Sequence, residues 1–238
     1  MGPRILILGS GPDAPQAANW NRSIFEHIVV INNAWRVRSD WSHLIHPEDF
    51  PPDKRPAMVS SAQNIITAED YVAVQNTYGG FVYAGGTMAF TAGYWALGAL
   101  RPSVMAFFGC DMMYATQGNT HFYGKGTADP LREDISLRSL EAKSARLALH
   151  ANVQGCKIVN LSDAPSRHVF PRAKLTDIGH LQTTPAKTSD VAMADVLRAE
   201  KSLGYFVASG RYWEISAEFD VDEIDRLDAM WHAAYLPS

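Results

Sequence analysis

A chain of 238 residues with 47% hydrophobic and 19% charged side chains is long enough to bury one large core, or one core with an appendage. Its 21 basic and 25 acidic residues are well mixed and leave a net charge of −4, which excludes the basic field a nucleic-acid backbone demands and points to a small-molecule ligand. No apolar run approaches the ~20 residues of a bilayer span, and the first apolar stretch begins at Ile5 with no room for a signal peptide ahead of it, so a cytoplasmic protein with no membrane span is expected.

The first element is the run Ile5 to Leu8, which stops at Gly9, Ser10, Gly11 and Pro12. Four apolar residues ending in glycines fit a buried parallel strand meeting a tight turn, and the missing side chains would let a ligand approach the backbone; the turn is a candidate nucleotide cradle. "QAANWNRS" carries a short helix or loop, and a second buried strand is expected at 27–32, ending in Asn32 and Asn33. A weak third strand runs through Ile45, where His46, Asp49 and two prolines end it. "NIITAED" reads as a fourth. Gly85, Gly86 and a capping Thr87 open a helix that is apolar and small for three turns. The most apolar strand follows at 103–108, with Asp111 and Tyr114 just beyond Gly109. A helix is expected over 136–154 with Gly155 as its stop, then a strand in "CKIVNLS". From Asp163 to Ser189 the composition reads as a loop or lid, and helices at 189–203 and 220–235 form a C-terminal extension packed on the same domain.

Strands alternating with helices predict an α/β, Rossmann-like fold over residues 1–162, with a mostly parallel sheet and helices on both faces. Ligands of such sheets bind outside the carboxyl ends of the strands, which gathers Gly9 to Pro12, Asn32, Asn33, His46, Gly109 to Tyr114, Asn160 and Ser162 into one rim. The opening GxG lacks the third glycine of the dinucleotide fingerprint, because position 14 is Ala, and Asn32 stands where an acidic ribose ligand would. Thr87 at a helix start suits either a phosphate or a simple cap. Asp111 either caps its own loop or holds a metal or a substrate hydroxyl.

The segment 119–132 packs His121, Tyr123, Lys125 and Arg132 among turn-forming residues without hydrophobic periodicity. His exchanges protons near neutral pH, while Tyr, Lys and Arg donate to phosphate oxygens, so the segment reads as catalytic. His43, His168 and His180 are too scattered to suggest a metal site, and Cys110 and Cys156, without CxxC spacing, read as core residues. The serine-hydrolase elbow GxSxG and the phosphate loop GxxxxGK[ST] are both absent from the sequence.

The order "ILILGSGP", "VVINNAW", "YAGGTMAFTAGYWALGAL", "MAFFGCDMMY" over residues 4–162 resembles the bacterial sialyltransferases that use CMP-sialic acid, and more loosely the clan of flagellin-modification and 6-hydroxymethylpterin pyrophosphokinase-like proteins. The resemblance implies that Gly9, Ser10, Gly11, Asn32, Asn33, Gly86 and Thr87 hold a cytidine nucleotide and that Tyr114 binds the departing phosphate. Ser10 stands where an Asn is common in that family, and Asp13 where a Ser is usual. The family's catalytic His lies well beyond its Tyr, whereas His121 follows Tyr114 by seven residues, so His121 as base is a reading of its chemistry alone.

The expectation is thus a nucleotide-binding enzyme, a glycosyltransferase moving a sugar from a CMP-type donor with no required cofactor. His121 acts as base, and Tyr114, Tyr123, Lys125 and Arg132 stabilise the leaving phosphate; His46 and Asp111 join the nucleotide site. Two competitors remain open: a non-catalytic nucleotide-binding module, and a magnesium-dependent pyrophosphokinase-like enzyme served by Asp111. The final helices either replace a family lid or join copies of the chain into a homo-oligomer.

Overall fold

The structure, a computed structural model, describes residues 2–114, 118–125, 133–181 and 190–235. Six strands, β1 (Arg4–Leu8), β2 (His27–Ile31), β3 (His43–Ile45), β4 (Asn64–Ile66), β5 (Val104–Phe108) and β6 (Lys157–Asn160), form one sheet. Every pairing is parallel and the order is β4-β3-β2-β1-β5-β6. Leu6 lies opposite both Ile28 and Ala106, so the three most apolar runs of the sequence occupy the sheet centre, where both faces are covered. Successive side chains alternate: Leu6, Leu8, Ile28, Val30 and Ala106 enter one core, and Ile5, Ile7, Val29, Met105 and Phe107 the other.

The two faces carry helices of different kinds. The helices α1 (Ala68–Asn76), α2 (Phe81–Ala84), α3 (Met88–Leu100), α4 (Leu140–Val153), α5 (Asp190–Leu203) and α6 (Val221–Ala234) all pack on the Ile5 and Phe107 side. The opposite face is roofed by 3-10 turns at Ala14–Asn19, Asn32–Arg36 and Leu175–His180, which bury Ala14, Ala17, Ala34 and Ile178. Right-handed crossovers explain the division, because connections running outward from β1 to β4 and those running back through β5 to β6 must lie on opposite faces. The chain reverses direction between β1 and β5, and their carboxyl ends form a topological switch point.

Strands expected at 27–32 and 103–108 each lose one terminal residue. "NIITAED" holds a strand only as far as Ile66; at Thr67 the chain turns into α1, where the Thr67 amide donates to Asp70 Oδ2 at 2.9 Å. That T-x-x-D spacing is a helix-start signal that the short apolar run obscured. Helix α4 begins later than 136 because Ser139 is its cap, accepting from the Ala142 amide at 3.2 Å. Helices α5 and α6 share the main core and are fastened to α4 by the buried pairs Lys143–Asp228 (2.6 Å) and Arg146–Glu200 (2.8 Å). No helix among the described residues is long and apolar enough to cross a membrane.

Several histidines are structural. His168 packs among Phe90, Phe107 and Phe170, and neither of its ring nitrogens finds a hydrogen-bond partner among the described residues. Burial lowers it to about 4, and burial with the neighbouring His27 does the same to His43. An unfolded histidine titrates near 6.5. The unfolded chain therefore takes up protons first as pH falls from about 6.5 to about 4, and stability declines across that window while the neutral rings contribute no slope above it. His168→Phe is expected to make the acid limb of a stability-against-pH curve shallower by up to about 1.4 kcal/mol per pH unit. An unchanged slope in urea titrations between pH 4 and 6.5 would show that His168 takes no part.

Candidate functional site

A cavity of about 400 Å³ opens at the switch point, within the ~300–1,000 Å³ range of small-molecule sites. Its floor is the β1 turn, Gly9 to Asp13, beside the β5 turn, Gly109 to Tyr114; Asn32 at the end of β2, the start of α3 and the Thr120 to Tyr123 turn form its sides. Ala164 and Pro165, just after β6, complete it.

The geometry explains the opening glycines differently from the sequence. A Cβ on Gly9 would strike the Gly109 carbonyl oxygen and lie 2.6 Å from Cys110 Sγ, and one on Gly11 would lie 2.9 Å from the same carbonyl. Their amides are also occupied: Gly9 N–H donates to the Phe108 carbonyl at 2.9 Å and Gly11 N–H to that of Gly109 at 2.8 Å. These glycines let two strand-end turns touch, and their amides are not free to receive a ligand. Ser10 is the hinge to the histidine segment, its carbonyl accepting from the Phe122 amide at 3.1 Å.

The N-terminus of α3 also opens on the cavity. Thr87 takes the N-cap position, yet its hydroxyl makes no cap bond, and the side chain, 6% exposed, lines the cavity with no hydrogen-bond partner among the described residues. Met88 and Ala89 follow it in the wall, and their amides meet no acceptor among the described residues. A thirteen-residue helix thus directs the positive end of its dipole, with free donors, into the cleft. Asn32 adds a polar group, because its Oδ1 is a buried acceptor without a donor among the described residues and its φ of 51° is the left-handed conformation Asn tolerates.

The third wall is aromatic. His121 lies in a turn closed by paired hydrogen bonds with Gly124, at 3.0 and 3.1 Å, which needs the positive φ of that glycine. Its ring stacks on Tyr123 at 5.0 Å and sits 6.1 Å from Tyr114. His121 Nδ1 is 2.9 Å from Thr120 Oγ1, so Nε2 is the nitrogen left for chemistry. Burial lowers the His121 pKa, which keeps the imidazole neutral, and able to accept a proton, at pH 7. Asp111 is tied back at the strand ends, its Oδ1 accepting from Asn160 Nδ2 at 2.9 Å and lying 3.9 Å from an Arg172 guanidinium nitrogen; the described lining holds Asp13 and Asp111 and no Lys or Arg.

The structure brings Gly9, Ser10, Gly11, Asn32, Thr87, Asp111, Tyr114, His121 and Tyr123 to this one cavity. It leaves others out. His46 is buried against Phe50, with Nδ1 2.8 Å from the Pro47 carbonyl, and Asn33 is buried behind Asn32; neither lines the cavity. Gly86 donates its amide to Ser136 Oγ at 2.8 Å behind the α3 start. Lys125 is exposed outside the lining, and Arg132 lies outside the described residues. Thr120 and Asp13 were not legible as site residues, since neither belongs to a motif. No family model matches this chain, and comparison with curated proteins and with solved structures finds no match. The likeness to the sialyltransferases therefore rests on the order of its motifs. Among the described residues no group of three or more His, Cys, Asp or Glu is placed to hold a metal ion.

Proposed function

We propose that the switch-point cavity binds a nucleotide or nucleotide sugar and transfers the sugar to an acceptor hydroxyl. The observation that carries this reading is the uncapped α3 N-terminus, where Thr87, whose hydroxyl makes no cap bond, and Met88 and Ala89, whose amides meet no acceptor among the described residues, line the cavity as a phosphate site would require. Asn32 Oδ1 awaits a donor, which a ribose hydroxyl or a base amino group supplies. In the reaction His121 Nε2 takes the proton of the acceptor hydroxyl as its oxygen bonds to the anomeric carbon. The carbon–oxygen bond to the phosphate breaks, and its electron pair leaves with the nucleotide. Tyr114 and Tyr123 donate to the phosphate oxygen where charge develops.

Thr87→Val removes the hydroxyl and keeps the shape. The wild-type protein is expected to gain thermal stability on addition of CMP, and the variant to bind about tenfold more weakly, the loss of one hydrogen bond to a charged group. Equal CMP-induced shifts of melting temperature for both proteins would remove Thr87 from the site, and no shift with any nucleotide would remove the reading itself.

A second reading, magnesium-dependent pyrophosphoryl transfer, is favoured by Asp13 and Asp111 in the lining, since Mg²⁺ is commonly held by one or two carboxylates together with substrate phosphates. ATP binding that appears only with Mg²⁺ and vanishes in Asp111→Asn would select it.

A further inference from the structure

The α3 N-terminus is held by a part of the chain that the nucleotide reading leaves without a role. Tyr212, between α5 and α6, is buried to 2% exposure, with its ring stacked over Phe81 of α2 at 6.5 Å. Its hydroxyl donates to Asp134 Oδ2 at 2.7 Å. Asp134 Oδ1 receives the Ser136 amide at 2.8 Å and lies 2.6 Å from Ser136 Oγ, and that oxygen accepts the Gly86 amide, one residue ahead of Thr87. The Tyr212 hydroxyl also occupies the space a Cβ on Gly86 would need, so position 86 is glycine because tyrosine presses on it. Gly85, at φ 90°, makes the bend that allows this approach.

We propose that Tyr212 is a positioning residue for the ligand site: through Asp134 and Ser136 it fixes the Gly85–Gly86 bend and thereby the direction in which Thr87 and the first amides of α3 face the cavity. A carboxylate that accepts from Tyr212 and from Ser136 is a firm anchor, because each of these bonds involves a charged acceptor and the group is partly buried. The C-terminal segment is then part of the binding machinery. The ligand half of this inference rests on the phosphate reading of the cavity; the mechanical half does not.

Tyr212→Phe keeps the ring stack and removes only the hydroxyl. In hydrogen–deuterium exchange the variant is expected to exchange at least about tenfold faster at the bonded amides of Gly86 and Thr91, which donate to Ser136 Oγ and to the Thr87 carbonyl, with the amides of β5 unchanged, and in calorimetry to bind CMP about tenfold more weakly. Ser136→Ala, which removes the acceptor of the Gly86 amide, is expected to give the same local change, and the double variant little more than either, as for residues acting in one chain. Unchanged exchange at Gly86 and Thr91 overturns the proposal, as does faster exchange throughout the fold, which would mark general destabilisation. Faster local exchange in a protein whose wild-type form has no affinity for CMP discards the phosphate reading and overturns the role of Tyr212 in the ligand site, leaving only its hold on the bend.

Discussion

Glu200→Ala is expected to cost about 3–5 kcal/mol of folding stability, because it would strand a cation in the core. Arg146 of α4 is fully buried; its Nε and one terminal nitrogen each donate to Glu200 of α5 at 2.8 Å, and its remaining donors reach the Tyr94 hydroxyl (2.8 Å) and the Tyr78 carbonyl (2.5 Å). Trp231 of α6 donates to the same Glu200 carboxylate at 2.6 Å, and the guanidinium lies 5.2 Å from its ring. Burial alone would lower the Arg146 pKa, but the Glu200 carboxylate and Tyr94 raise it overall, so the cation does not escape by losing its proton. Four helices therefore depend on one ion pair. The pair as a whole is worth much less than either half, since desolvation offsets its attraction: the double variant Arg146→Met with Glu200→Leu is expected to recover part of the loss, the remainder being the cost of leaving the Trp231 N–H and the Tyr94 hydroxyl without these partners. Urea unfolding midpoints test both; a Glu200→Ala protein within 1 kcal/mol of wild type would show that water enters and solvates Arg146. Because α3 also contributes Tyr94, the same substitution is expected to weaken ligand binding at the far end of that helix.

His121→Ala is expected to lower turnover by about 10²–10⁴ while leaving nucleotide affinity nearly intact, the signature of a group that acts on the reacting proton and contributes little to ground-state binding. CMP release from CMP-sialic acid in the presence of acceptor is the assay. The pH profile carries a further check. Burial lowers the His121 pKa below its usual 6.5, so the base stays neutral through pH 7 and activity falls only as pH drops below about 6.5, when protonation removes the acceptor lone pair. Unchanged turnover refutes the assignment and favours a binding module that has kept the cradle without the chemistry. An acid limb that persists in His121→Ala with the same midpoint would assign the titration to another group.

The sheet was readable because its physics is local: short apolar runs ending at Gly9, Asn32, Gly109 and Asn160 can only be buried strands whose polar ends share one edge. The convergence of Tyr114 on the glycine turn was legible through the same rule; that of His121, which follows no strand end, was not. That docking runs through the Ser10 carbonyl and the Phe122 amide, and a backbone bond between distant residues leaves no mark on side-chain pattern. His46 misled because the end of an apolar strand marks a rim position but not the direction of the side chain, which turns toward Phe50.

By itself the sequence determined the parallel α/β architecture, the strand ends as the edge where polar residues gather, and the absence of a basic field, since period and composition depend only on neighbours along the chain. Tertiary structure alone decided what the glycines are for. Gly9 and Gly11 make room for Gly109, and Gly86 makes room for Tyr212, because a missing side chain states that something comes close without stating what. It also decided that the uncapped start of α3 lines the cavity, because a helix end meets a cavity only where the packing of the sheet creates one.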